Sequence, residues 1–226
     1  MTKAVPVLTV DGPTASGKGT LSRKLASALN FHYLDSGALY RLLALHLDHQ
    51  GINPKTPIAD QELEQLASLL PVIFYEDRIV LEGQDVTDAI REERVGSLAS
   101  EFAAKPAVRR GLLQRQWTFR SAPGLVADGR DMGTVVFPDA ALKVFLVADV
   151  EERARRRTKQ LIEKGISVNF DDLLADLRAR DARDQSRDIA PLTPASDARL
   201  LDGSFLSISE SVQQVLQWWM AIAKIA

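Results

Sequence analysis

The chain has 226 residues, 46% hydrophobic and 26% charged, the composition of a globular protein long enough to bury a sizeable core in one or two domains. A formal net charge of −2 gives no overall pull toward nucleic acid or anionic membranes, and no stretch approaches the length of a transmembrane helix. The absence of cysteine excludes disulfides and thiolate metal sites, and the N-terminal apolar segment is too short for a signal peptide, which makes the cytoplasm the expected location.

The first element is the apolar run Val5-Pro6-Val7-Leu8-Thr9-Val10, which predicts a strand over residues 5–10. It leads into Gly12-Pro13-Thr14-Ala15-Ser16-Gly17-Lys18-Gly19-Thr20, and a helical pattern follows over residues 18–29. Strand, Gly-rich loop and helix in that order are the context a phosphate-binding loop requires. Glycines let the backbone curl so that successive N–H groups converge on phosphate oxygens, and the helix N-terminus adds the positive end of its dipole. Lys18 is placed to reach the β- and γ-phosphates. The segment therefore implies a nucleoside triphosphate site over residues 12–20. Gly19 follows Lys18 where many such loops carry a hydroxyl, and the hydroxyl arrives one position later at Thr20. Direct magnesium coordination by Thr20 and contact through water both stay open.

A short strand is expected over residues 31–35 and a helix over 38–49, with Ser36 as its cap. Arg41 stands in the first turn of that helix, where a cation opposes the dipole, and this points to a bound anion. After a helix over 60–68, Val72-Ile73-Phe74-Tyr75 and Arg78-Ile79-Val80-Leu81 read as a hairpin joined by Glu76-Asp77. The hairpin breaks a strand–helix alternation and suggests a small α+β insertion over residues 60–105. Helices follow over 92–103 and 107–120, then a strand over 125–128.

That strand runs into Asp128-Gly129-Arg130-Asp131-Met132-Gly133-Thr134. In open α/β sheets ligands collect at the carboxyl ends of strands. Asp128 suits orientation of magnesium-bound water, Arg130 suits a phosphate, and Asp131 suits an exocyclic amine. Beyond a strand over 142–147, helices over 150–164 and 171–188 hold eight arginines and only two lysines between Glu151 and Arg187, a bias that favours two-pronged phosphate contacts. Arg153, Arg156 and Arg157 share one helical face, and Arg180, Asp184 and Arg187 share another. The acids among them argue against a nucleic-acid surface. A connector containing Pro191 and Pro194, a strand over 199–201 and a helix over 207–224 complete the chain. Ser207 and Glu210 stand at capping-box spacing, and Trp218 and Trp219 read as packing residues. His32, His46 and His49 show no metal-ligand or triad partnership.

Three motifs together carry a resemblance: Asp11-Gly12-Pro13 with Gly17-Lys18-Gly19-Thr20, Asp35-Ser36-Gly37-Ala38-Leu39-Tyr40-Arg41, and Ala127-Asp128-Gly129-Arg130-Asp131-Met132-Gly133-Thr134-Val135-Val136-Phe137-Pro138. Arg180, Asp181, Arg183, Asp184 and Arg187 extend it. The sequence resembles the bacterial cytidylate kinases of the nucleoside monophosphate kinase superfamily, from the first strand to the last helix. The resemblance implies a phosphate-loop NTPase-like α/β fold: a parallel sheet flanked by helices, an inserted α+β monophosphate-binding subdomain and a helical lid. On this chain the core would be residues 1–59 and 106–226, the insertion 60–105 and the lid 153–170.

The implied activity is transfer of the γ-phosphoryl group of ATP, with magnesium, to CMP or dCMP. Ser36, Arg41, Ser100, Arg109, Arg130, Asp131, Arg180, Asp184 and Arg187 resemble the family's monophosphate-site residues, with Arg110 an alternative to Arg109. Lys18, Arg130, Arg153, Arg157 and Arg187 are the expected charge-neutralising residues. Magnesium contacts are expected through water near Thr20 and Asp128, and a monomer without membrane or polymer partners is expected. The nearer rival is a phosphate-loop kinase of another small acceptor, with Asp35 or Asp128 as base. A switch GTPase would carry an Asn/Thr-Lys-x-Asp motif, which is absent.

Overall fold

The computed structural model describes residues 5–75, 77–163 and 165–223. The expected turn residue Glu76, the expected helix ends Lys164 and Lys224, and residues 1–4 lie outside the described residues. The chain divides into two compact units, one made of the described residues up to Leu34 and from Phe119 onward, the other of Asp35–Thr118. The second unit thus extends beyond the expected 60–105 insertion on both sides.

The first unit is built on a five-stranded parallel sheet of order β2-β6-β1-β7-β8, comprising β1 (Val7–Asp11), β2 (His32–Asp35), β6 (Leu125–Gly129), β7 (Leu142–Val147) and β8 (Arg199–Asp202). Every residue of β1 and β6 is buried, as expected for central strands covered on both faces. The strand expected from residue 5 begins at Val7, because Pro6 has no N–H for the ladder; its carbonyl still accepts from Leu125 N at 3.0 Å. In register, Asp11 faces Gly129 on one side and Phe145 on the other. The chain therefore leaves β1 and β6 at the same level, and the loops carrying the two main motifs start side by side.

Helices α1 (Lys18–Leu29) and α8 (Ile208–Ala223) pack over one face of this sheet. Leu8, Val10, Val126, Leu142, Val144 and Leu146 meet Leu21, Leu25 and Val215 in a closed apolar cluster. Trp219 sets its ring edge-on to Phe31 at 5.5 Å, and Arg199 lies over Trp218 at 5.4 Å, so both tryptophans pack. The capping box of α8 forms: Ser207 N donates to Glu210 Oε2 at 2.8 Å and Glu210 N to Ser207 Oγ at 3.3 Å. Helices α6 (Val150–Glu163) and α7 (Phe170–Ser186) complete this unit. α7 is capped by Asn169, which accepts from Asp171 N and Asp172 N. It stops short of the expected residue 188, because the Asp184 carbonyl is taken by Leu192 N at 2.7 Å.

The second unit contains α2 (Ser36–His49), α3 (Asp60–Ser68), a three-stranded antiparallel sheet of β3 (Val72–Phe74), β4 (Ile79–Leu81) and β5 (Gln84–Asp85), then α4 (Glu93–Phe102) and α5 (Pro106–Trp117). The sequence shows the first hairpin but not β5. Its turn is Glu82-Gly83, with positive φ of 52° and 82° at its two residues, the geometry that closes a two-residue hairpin. The Glu82 carboxylate stands 3.2 Å from His46 Nδ1 and 3.7 Å from His49 Nδ1, so both histidines of α2 face the turn. α2 also begins earlier than expected, and its cap is Asp35, whose Oδ1 accepts from Ala38 N at 2.9 Å, not Ser36. α5 ends at Trp117, before the expected residue 120, and Arg120 turns to Val5 O and Asp139.

α3 and α5 pack backbone to side chain at Gly111, where an added Cβ would stand 2.5 Å from Glu64 O and 2.6 Å from Ala67 Cβ. Gly111→Ala must push these helices apart, and urea unfolding should show a loss of about 1–3 kcal/mol. An unchanged midpoint would mean that the contact has slack.

Candidate active site

The loop after β1 has the expected curl. An added Cβ on Gly12 would stand 2.4 Å from Leu146 O, so only glycine fits where the loop crosses β7. Gly17 has φ 89° and Ala15 φ 57°, both left-handed. For Ala15 that conformation costs roughly 1–2 kcal/mol. Gly17 O accepts from Thr20 N and Leu21 N at 3.1 Å, opening α1 immediately behind the loop. Lys18 Nζ donates to Pro13 O at 3.0 Å. Ser16 Oγ is buried and has no hydrogen-bond partner among the described residues, while Thr20 is exposed.

The loop after β6 is fastened to β1 by one carboxylate. Met132 N and Gly133 N each donate to Asp11, to its two separate oxygens, at 2.8 Å. Residues 132–136 then form a wide π-helical turn, in which Val136 N donates to Asp131 O and Phe137 N to Met132 O, and Asp131 lies buried at its start. Burial pushes the Asp11 carboxyl up from 3.8 to about 7; Asp131 adds to the rise, against the pull of the two amides and Lys18. Asp128, also buried, accepts from Tyr33 Oη at 2.6 Å and lies 3.7 Å from where a Cβ on Gly19 would be.

Arg130 joins this loop to the phosphate loop and to α7. Its Nε donates to Asp184 Oδ2 at 2.7 Å, its Nη2 to Thr14 Oγ1, and its Nη1 to Gly129 O at 3.3 Å. Arg187 Nη2 stands 3.6 Å from Asp184 Oδ1. Burial works to raise the Asp184 carboxyl, but Arg130, Arg187 and Lys18 outweigh it and the net shift is downward. Arg180 is buried one turn earlier, with Nε 3.3 Å from Asp176 Oδ2. The structure thus brings Arg130, Asp184 and Arg187 together beside Thr14, from two loops and a helix.

The arginines of α6 do not share one role. Arg153 is buried and engaged within the protein, donating to Ala148 O at 3.0 Å, to Thr14 O at 2.8 Å and to Asp181. This differs from the expected arginine closing over phosphates. Arg156 clamps Gly203 O and Ser204 O at 2.9 and 2.8 Å. Arg157 is half-buried, with Nη1 3.4 Å from Gln160 Oε1.

The other expected residues lie in the second unit. Ser36 Oγ donates to Gln116 Oε1 at 2.8 Å. Because α2 starts at Ser36, Arg41 stands in its second turn and not in the expected first, and its Nη1 donates to Ile90 O at 2.8 Å and Glu92 O at 3.1 Å, just ahead of α4. Ser100 is half-buried on α4. Arg109 is buried, with Nη1 3.3 Å from Ala103 O and its guanidinium 5.8 Å above the Tyr40 ring. Arg110 points outward to Glu64 at 2.8 Å and Asp60 at 3.7 Å, which leaves Arg109 as the inward arginine of the two.

A family model described as cytidylate kinase matches residues 8–220 of this chain. The chain belongs to the cytidylate kinase family. It is 58% identical over 219 residues to the cytidylate kinase of Bordetella bronchiseptica, covering 96% of each chain. It is equally identical, over 219 residues, to that of Cupriavidus necator, covering 96% of this chain and 97% of the relative. Against the cytidylate kinase of Burkholderia ambifaria it is 57% identical over 224 residues, with 98% and 96% covered. These matches span both units. The structure adds contacts that the sequence did not show: Asp11 fastens the loop after β6, Tyr33 donates to Asp128, Gln116 accepts from Ser36 and Asp181 holds Arg153. Asp11 had a signal, since a carboxylate ending an apolar strand must find donors once buried.

The Asp11 fastening should be visible as a pH effect. A carboxyl raised in the folded state contributes stability that is full below its unfolded value of 3.8 and lost as pH rises through about 7. The stability difference between wild type and Asp11→Asn, from urea unfolding, should narrow between roughly pH 5 and pH 8 by on the order of 2 kcal/mol. A level difference would show Asp11 ionised throughout.

Proposed function

We propose that this chain transfers the γ-phosphoryl group of ATP to CMP or dCMP, giving ADP and CDP or dCDP. Membership of the cytidylate kinase family supports the reading, and so does one feature of the structure: Arg130 links Thr14 of the phosphate loop to an arginine-flanked buried carboxylate, Asp184. Residues 12–20 cradle the ATP phosphates, with Lys18 on the β- and γ-phosphates. Arg130, Arg187 and Arg41 hold the acceptor phosphate. Arg157, in a lid segment over residues 153–170, neutralises the transferring group. The reading places the chain as a monomer in the cytoplasm, where both substrates are met.

In the reaction, a CMP phosphate oxygen forms a bond to the γ-phosphorus while the bond from that phosphorus to the β,γ-bridging oxygen breaks. The acceptor oxygen is already ionised near neutral pH, so no general base is needed, and catalysis is alignment and charge neutralisation. A hydroxyl acceptor, the rival reading, would need a base. Both acids available for that role are engaged: Asp35 caps α2 and Asp128 accepts from Tyr33. The oxygen donors around the loop fit a magnesium ion: buried Asp128 beside Gly19, and the exposed Thr20 hydroxyl on the first turn of α1, each acting through water. When bound, the ion supplies positive charge to the phosphates.

Base choice follows from hydrogen-bond polarity. Cytosine presents an amine beside N3 and O2, whereas uracil presents a carbonyl and an N–H. The buried Asp131 carboxylate accepts from that amine and repels uracil's carbonyl, while Arg109 and Ser100 donate to N3 and O2. Asp184 with Arg180 takes the ribose hydroxyls, and Ser36 the acceptor phosphate. Buried polar groups left unpaired by the wrong base are what make such a site selective.

ADP release coupled to each common monophosphate tests the function, and CMP and dCMP should be the best acceptors. ATP binding without turnover on any pyrimidine monophosphate would reject it. Asp131→Ala should reduce kcat/KM on CMP by about 100-fold or more and leave the weak activity on UMP nearly as it was. Equal losses on both would remove Asp131 from base recognition.

A further inference from the structure

Thr14 is gripped twice. Arg153 donates to its carbonyl at 2.8 Å and Arg130 donates to its hydroxyl. Each arginine is held in turn by an aspartate of α7, Arg153 by Asp181 and Arg130 by Asp184. The two aspartates are three residues apart, on one face of the helix. The two arginines nevertheless differ in setting. Arg130 is 22% exposed at its side chain, whereas Arg153 is 4% exposed, and its Nε, Nη1 and Nη2 all donate to protein oxygens.

We propose that Arg153 is a positioning residue, which acts with Asp181 to set the Thr14–Ala15 peptide of the phosphate loop. A trans peptide carries its C=O and its N–H on opposite sides. Fixing Thr14 O toward α6 therefore turns the Ala15 N–H the other way, toward the concave side of the loop where phosphate oxygens bind. Ala15 is also the loop's non-glycine residue in a left-handed conformation, with φ 57°. A charge-assisted bond to the preceding carbonyl offsets that strain and keeps the cradle formed before ATP arrives. Asp181 fixes the guanidinium in the orientation this contact needs. Preorganising the cradle improves donor binding without touching the reacting atoms.

This inference rests on the reading of ATP as donor, and the test separates the two. Arg153→Met, Arg153→Lys and Asp181→Asn are compared with wild type by calorimetric titration of ATP and by steady-state kinetics with CMP. Arg153→Met and Asp181→Asn should each raise the Kd and KM for ATP by about tenfold, the worth of one hydrogen bond to a charged group. The KM for CMP should move by less than about twofold and kcat by less than about threefold, as for loss of binding that is equal in ground and transition states. Because both residues act through one contact, the double variant should be no worse than Arg153→Met, and Arg153→Lys should recover part of the loss. A kcat loss of about 100-fold or more in Arg153→Met with unchanged ATP affinity would instead mark direct contact with the transferring group and overturn the proposal. Wild-type ATP affinity in Asp181→Asn would overturn it equally. Circular dichroism melts establish folding, and if Arg153→Met does not fold, Arg153→Lys and Asp181→Asn carry the test. Failure of the wild type to bind ATP would remove the donor assignment itself.

Discussion

Asp11 is the constraint on which the two motif-bearing loops of the first unit depend. It ends a fully buried strand, and its carboxylate takes two backbone amides from the loop that follows β6. Neighbouring parallel strands bring those two loops to the same edge of the sheet but leave their conformations free. Asp11 removes that freedom on one side, and Gly12, which has no room for a side chain against β7, removes it on the other. Arg130 and Asp131 then leave β6 at a fixed height relative to the phosphate loop. The cost is a buried carboxyl, stabilised by the amides and pushed upward by desolvation.

Beyond that fastening, the arrangement is a distribution of charge. Arg130 and Arg187 share Asp184, while Arg153 is held by Asp181. A buried ion pair gains little net stability, because desolvating both charges consumes most of the Coulombic return. Its use here is orientation. Arg130 and Arg187 flank one counterion, Asp184, and a counterion that fixes their geometry is what the proposed phosphate contacts need. Arg153 and Arg156, which carry the same charge on the same helix, donate to backbone carbonyl oxygens, Arg153 to the Asp181 carboxylate as well, and so anchor α6 to the rest of the unit.

Much of the fold was legible in the chain. Apolar runs of strand length marked β1, β6 and β7, and helical periodicity marked α1 and α3 with their observed ends. The features that slipped were those set by partners remote in sequence. β5 is two residues long, and the Glu-Gly turn that opens it faces His46 and His49 of α2. α5 and α7 end where Arg120 and the Asp184 carbonyl find partners outside the helix. Ser36 looked like a cap, but Asp35 holds the free amide and Ser36 turns to Gln116.

By itself, the sequence determined the chemistry of the site. A Gly-rich loop between strand and helix, an Asp-Gly-Arg-Asp run closing another strand and an arginine-rich pair of helices are local patterns, and each carries its own physical meaning in the residue types and their spacing. Only the tertiary structure decided which arginines remain beside a single carboxylate and which are spent on backbone oxygens. Arg153, Arg156 and Arg157 are alike in type and share a helical face, yet they meet Thr14, Gly203 and Gln160. A guanidinium's role is fixed by the oxygens within its reach, and those oxygens come from segments that only folding brings to it.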